Sequence, residues 1–318
     1  VKQLQFGNQV YPVSVLKESL LHFEQILNRY KNCLEQIQQQ NCMTKFNLSI
    51  NQDFNLYLPD SGKGNQTKFT AYYSPDIYGG LNKTKENKNP VYKNPKVKSP
   101  RDLFLSRDEI DYKNKLSGKN LEIAYTKNSH FDLYLMMVEG GGRLIIPTKN
   151  GVKYKYLSYD GSNKHPLNFI SRYLLAKGYM TRDKLSIRNQ RNFLLENPHL
   201  EREVMTSNPS YTFFKITDSE PLGIDSIPLT VERSVAIDRR IYKFSGYLNF
   251  IQARRPYLDD SGELKFKSMN MFRIAQDTGG AIRGPGRMDI YFGFGDQAEL
   301  AANHVHEMGM NYFLVKKP

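Results

Sequence analysis

Leu16, Leu20, Phe23, Leu27, Tyr30, Leu34 and Ile37 recur at spacings of three and four with polar residues between them. This is the period of one helix face and predicts a packing helix near the N-terminus with no evident chemistry. A second helical region, 167–196, is interrupted at Gly178, which reads as a C-cap after Tyr173, Leu174 and Leu175; Thr181 or Asp183 would cap the next helix, and Pro198 bounds it. Elsewhere β-branched and aromatic runs between Gly and Asn turns predict strands at 68–73, 131–138, 152–159, 210–216, 246–251, 271–275, 288–292 and 312–315. Strict alternation of Val152, Tyr154 and Tyr156 with Lys153 and Lys155 marks a half-exposed sheet or barrel wall. No repeated β-α-β order appears, so the pattern predicts an all-β or β-rich α+β protein, a barrel with helical additions.

The length of 318 residues allows one large domain or two ordinary ones. With Tyr 21 and Phe 18 the chain has aromatics to spare for a groove, and with Trp 0 any stacking falls to these two types. The net charge of +13 favours an anionic partner without choosing between nucleic acid, anionic lipid and an acidic polymer. The densest basic run, 82–98, reads as a solvated loop. Cys33 and Cys42 fit either a local disulfide or two free thiols. No stretch approaches the roughly 18 apolar residues of a membrane span. The chain begins at Val1, so an upstream signal or lipid anchor would lie outside it.

The segment AQDTGGAIRGPGRMDIYFGFGD, 275–296, offers three chemistries. Asp277-Thr278-Gly279 resembles the catalytic turn of aspartic proteases, but that mechanism needs two such aspartates, and the sequence has one copy. The glycines match neither phosphate-binding loop pattern, and Pro285 removes an amide such a loop would use. There remains a carboxylate: alternation puts Asp289 opposite Met288 and Ile290 and on the face of Arg287 and Tyr291, where it serves either in an ion pair with Arg287 or as a functional acid.

The same segment resembles the C-terminal signature of the membrane-bound lytic murein transglycosylase A family, [AL]-x-D-x-G-G-A-I-[KR]-G followed by D-[IL]-[YF]-x-G-x-G. Four further segments resemble that family in the right order: FTAYYSP from Phe69, SYDGSNKHP from Ser158, NPSYTFF from Asn208, and PLT through SVAID ending at Asp238. The sequence departs from the pattern at Glu139, where the family has glutamine, and at Arg240-Ile241-Tyr242-Lys243, which replaces I-P-x-G; the first 58 residues match no motif. The resemblance implies a mainly β fold: a double-psi β-barrel catalytic domain (1–75 plus 219–318, with the N-terminal helix), an inserted β-barrel-like glycan-binding domain (76–218), and a groove between them.

It also implies cleavage of the β-1,4 bond between N-acetylmuramic acid and N-acetylglucosamine in peptidoglycan, leaving a 1,6-anhydromuramoyl end, with Asp289 as acid and then base. That role requires a raised pKa, through burial or a neighbouring charge such as Asp277. Asp277, Thr70, Tyr72, Ser74, Gly279, Gly280, Asp238 and His165 are the expected substrate-binding residues; spacing puts Thr70, Tyr72 and Ser74 on one strand face. Asp277 could equally be a turn former, Tyr72 a core residue and His165 a structural one. His304 and His306, in an expected C-terminal helix, lack partners at metal spacing, so no metal and no cofactor are expected. The expected partner is the peptidoglycan glycan strand, with other cell-wall enzymes or scaffolds and no nucleic acid. The expected protein is a monomer in the periplasm of a Gram-negative bacterium, held to the outer membrane by an anchor outside this chain. A non-catalytic peptidoglycan-binding scaffold and a hydrolytic muramidase using Asp289 with Asp277 or Asp296 and a water are the competing readings.

Overall fold

The computed structural model describes residues 2–34, 40–62, 64–95 and 105–318; Ile37 and the 96–98 end of the basic run lie outside the described residues. From the N-terminus come β1 (Gln3–Phe6), β2 (Gln9–Pro12), α1 (Ser14–Leu34), α2 (Gln40–Asp53), β3 (Phe54–Tyr57) and β4 (Thr67–Tyr72). There follow β5 (Asp76–Gly80), β6 (Asn89–Tyr92), β7 (Glu122–Thr126), α3 (His130–Glu139), β8 (Gly141–Thr148), β9 (Gly151–Ser162), α4 (Ile170–Ala176), α5 (Ile187–Glu196), α6 (Glu201–Thr206) and β10 (Thr212–Thr217). The chain ends with β11 (Ser234–Ile237), β12 (Tyr247–Leu258), β13 (Leu264–Asp277), β14 (Arg287–Tyr291), α7 (Asp296–His304) and β15 (His306–Lys316). It divides into two compact units, one of Val1–Tyr72, Gly223–Gly293 and Leu300–Pro318, the other of Tyr73–Leu222 with Phe294–Glu299.

In the first unit the strand order β12-β13-β11-β14-β4-β15 is closed by pairing of β12 with β15, and β3 adds to the outside of β15. The result is a six-stranded closed barrel in a mainly β protein, as the resemblance implies. Two of its neighbour pairs, β11 with β13 and β14 with β4, are parallel. Alternation fills the interior: Phe69, Val235, Ile237, Met288 and Ile290 are buried, while Thr70, Tyr72, Arg287 and Asp289 point the other way and are less enclosed. The amphipathic α1 contributes Ile26 to a core with Phe46, Ile50, Phe54, Leu248 and Leu314, which covers part of the barrel's outside. Cys33 and Cys42 form a disulfide joining α1 to α2.

The second unit is one six-stranded sheet in the order β10-β9-β8-β5-β7-β6, whose edge strands β10 and β6 lie against each other. Helices α3 to α6 bury a separate core around Phe131, Tyr134, Ile170, Leu174, Val204 and Met205. Two motif asparagines are clips: Asn163 donates to Leu105 O and Pro209 O and accepts from Tyr211 N, and Asn208 accepts from Asn168 N and Ser210 N. Both are almost fully buried, so these motif positions act in folding.

Several local expectations need correction. Residues 131–138 form α3, not a strand. Ser129 and Asp132 close a capping box at its start, and the helix is buried on several sides, which erases the one-faced period that would have revealed it. Gly178 does end α4, with Tyr179 N donating to Leu174 O and Gly178 N to Leu175 O, but α5 is capped by Ser186, since Thr181 and Asp183 belong to an intervening 3₁₀ turn. The basic run is not all solvated loop: it contains β6, with Val91 and Tyr92 buried. His304 ends α7, but His306 begins β15.

Candidate active site

The register of the barrel lines up one row of side chains. Ala236 in β11 pairs with Asp277 of β13 on one side and with Asp289 of β14 on the other; Asp289 pairs with Thr70 of β4, and Thr70 with His306 of β15. Plain alternation would not produce this row. Val235 pairs with Ala275 but Ala236 with Asp277, so Gln276 is the extra residue of a β-bulge that brings Asp277 round to the face of Asp289. The Gln276 carbonyl accepts from Ile224 N at 3.1 Å, and Gly223 packs so close that a Cβ there would lie 2.2 Å from that oxygen. The two aspartates are thus held two strand spacings apart, about 10 Å between backbones.

Thr70 Oγ1 donates to Asp289 Oδ1, and Tyr72 Oη donates to Asp277 Oδ2 at 2.7 Å. Burial raises the Asp289 pKa; the Thr70 hydrogen bond and the Arg287 charge pull it part of the way back. Burial likewise pushes Asp277 up to about 6, with the charge of Asp289 adding to the rise. Burial is thus the principal cause at Asp289. The Tyr72 hydroxyl is held in its neutral, donating form by burial and by the Asp277 carboxylate, and its ring centroid lies 5.2 Å from that of Tyr291. Arg287 acts on Asp289 through its charge without an ion pair to it.

The remaining expected residues lie elsewhere. Asp238 is fully buried; Arg240 grips its carboxylate with Nε at 3.0 Å and Nη2 at 2.7 Å, and Gly284 N donates to it at 2.8 Å, so it is held well below the usual carboxylate range. It anchors the turn that carries Gly279 and Gly280. Gly280 is exposed with open space at its Cα, whereas Gly286 in the same turn is crowded by Ser61 and Gln66. Ser74 lies past the end of β4, in the second unit, where it is buried, so the shared-face reasoning does not extend to it. His165, also in the second unit, has its backbone N–H on Asn163 Oδ1. Glu139 ends α3 and accepts from Tyr73 N at 3.2 Å. Spacing could not have found the contribution of Ala236 and His306 to the row, because it arises from pairings between strands distant in sequence. Among the described residues no three His, Cys, Asp or Glu side chains converge on a point that could hold a metal.

These features make a closed six-stranded barrel protein with an inserted β-rich unit, whose barrel face carries two carboxyl groups held by hydroxyl donors. Two family models match it, the MltA specific insert domain over residues 68–215 and the 3D domain over 233–315. The membrane-bound lytic murein transglycosylase A of Escherichia coli (strain K12) is 32% identical over 253 residues, 79% of this chain and 66% of the relative. That of Vibrio cholerae is 32% identical over 243 residues, 76% of this chain and 63% of the relative. The matches thus span slightly less than two thirds of these relatives' lengths. Among solved structures, E. coli MltA with bound chitohexaose superposes with a TM-score of 0.74 at 26% identity, covering 100% of this chain and 94% of that one. The membrane-bound lytic murein transglycosylase from Agrobacterium tumefaciens gives the same score and identity, covering 99% and 88%. The chain belongs to the membrane-bound lytic murein transglycosylase A family.

Proposed function

We propose that this protein is a lytic transglycosylase that cleaves the β-1,4 bond between N-acetylmuramic acid and N-acetylglucosamine in peptidoglycan without water, through Asp289. The observation that carries the reading is a carboxyl group raised in pKa by burial, in register with a hydroxyl donor and next to Tyr72 and Asp277 on one barrel face. The protonated Asp289 gives its proton to the glycosidic oxygen as the bond from that oxygen to the anomeric carbon breaks. The muramoyl 6-hydroxyl oxygen then bonds to the anomeric carbon, and its proton passes to the Asp289 carboxylate, which restores the starting acid. An intramolecular nucleophile makes a second catalytic carboxylate unnecessary. Asp277, Thr70 and Tyr72 position Asp289 and the sugar, the turn of Gly279 and Gly280 contacts the glycan, and Asp238 acts by fixing that turn.

The relative crystallised with chitohexaose supports a glycan as ligand. The relatives' description as membrane-bound murein enzymes supports a place in the Gram-negative cell envelope. Among the described residues no helix is long and apolar enough to cross a membrane.

Digestion of purified peptidoglycan followed by mass spectrometry tests the reading. Anhydromuramoyl products, lighter by one water than reducing-end products, are expected. Reducing-end products would establish a hydrolytic muramidase instead, and binding without any product would establish a scaffold.

A further inference from the structure

One rung along the barrel from Asp289 and Thr70, Arg287 of β14 pairs directly with Lys68 of β4 on the same face. Two cations opposite one another in a ladder repel. Neither forms an ion pair among the described residues, and Arg287 Nη1 is buried without a hydrogen-bond partner. The nearby Glu307 is committed to Arg254 at 2.8 Å. His306, opposite Thr70 in the row, has its pKa lowered by burial and, to a smaller extent, by both cations. Cations placed beside a reacting acid, against their mutual repulsion and with no acidic partner, leave room for an anion that arrives with the substrate.

We propose that Lys68 and Arg287 form a carboxylate-binding subsite that recognises the acidic substituent on the muramoyl sugar, and so selects which sugar presents its anomeric carbon to Asp289. This rests on the reading of the site as a peptidoglycan glycan site. N-acetylglucosamine and its polymers are neutral. A muramoyl residue carries on O3 a lactyl group, which ends in a carboxylate when bare or in a peptide bearing carboxylates when substituted. A bidentate guanidinium beside an ammonium suits either carboxylate, and the unsatisfied Arg287 Nη1 supplies a donor already desolvated. The pair thereby sets specificity, while Asp289 does the chemistry.

The test is the dissociation constant of three glycans of equal length, measured in an Asp289→Asn background so that none is cleaved. They are chitohexaose, muramoyl strands stripped to the lactyl carboxylate by an amidase, and strands with intact peptides. The parent is expected to bind a carboxylate-bearing strand about tenfold tighter than chitohexaose. Lys68→Gln and Arg287→Gln should each bring that ratio toward one, and Lys68→Arg should keep it. Preference for the stripped strand identifies the lactyl carboxylate as the anion; preference confined to intact strands identifies the peptide. A ratio that survives both neutralising substitutions, or a parent with no preference, overturns the proposal. If Arg287→Gln fails to fold, Lys68→Gln alone decides. Failure of every glycan to bind would instead overturn the function on which the subsite rests.

Discussion

The Thr70 hydroxyl donates to the Asp289 carboxylate from the position directly in register across the parallel β4–β14 pair. A hydrogen bond to a carboxylate favours its ionised form, so Thr70 opposes the rise that burial imposes. Thr70→Val keeps the shape and removes the donor. The Asp289 pKa should then rise further, and the alkaline limb of the pH–rate profile should move up by about one unit, the equivalent of a bond contributing about 1.5 kcal/mol. Turnover should fall about tenfold as the carboxyl loses its orientation, and Thr70→Ser should restore both. An alkaline limb that stays in place would remove Thr70 from the acid's control.

On the proposed mechanism, Asp289→Asn should reduce release of soluble glycan by about a thousandfold or more. Binding of chitohexaose should persist. Substantial residual release would show that the acid lies elsewhere.

Asp277 makes stability depend on pH. Its carboxyl titrates near 3.9 in an unfolded chain and at about 6 in the fold. Between these values the folded state holds more protons, so the stability present below about pH 4 declines as pH rises toward 6, and the deficit persists above. Asp277→Asn removes that deficit and keeps an acceptor for Tyr72. Its melting temperature should equal that of the parent near pH 4 and exceed it by about 2 °C or more at pH 7.5. Equal melting temperatures at both values would mean that Asp277 is hydrated in solution.

Asp238 is fully buried as a carboxylate, and its guanidinium partner is the largely exposed Arg240. Arg240→Ala leaves that charge with the amides of Gly284 and residue 240 alone. The cost should be visible as a lower melting temperature. Because the Asp238 pKa is depressed, the pair's contribution is present above the unfolded carboxylate value and is lost as pH falls below it. The parent–variant difference should therefore shrink in strong acid.

The sequence by itself determined the amphipathic helix near the N-terminus, the Gly178 stop and most of the barrel strands, because each is written in short-range period or turn chemistry. It also determined the family, through five ordered motifs, and it put Asp289 on the strand face away from Met288 and Ile290. It misread α3 because a helix buried on several sides has no polar face to set its period, and because the Ser129–Asp132 box is a four-residue signal beside a long apolar run. Tertiary structure alone decided that Asp277 shares a face with Asp289. That depends on one extra residue, Gln276, in a pairing between strands some forty residues apart, and on Gly223 admitting the bulged carbonyl. It also decided that Asp238 is an anchor, since a carboxylate's role follows from what surrounds it, and that Lys68 and Arg287 face each other next to Asp289. Residues more than two hundred positions apart become neighbours only when the parallel β4–β14 ladder forms.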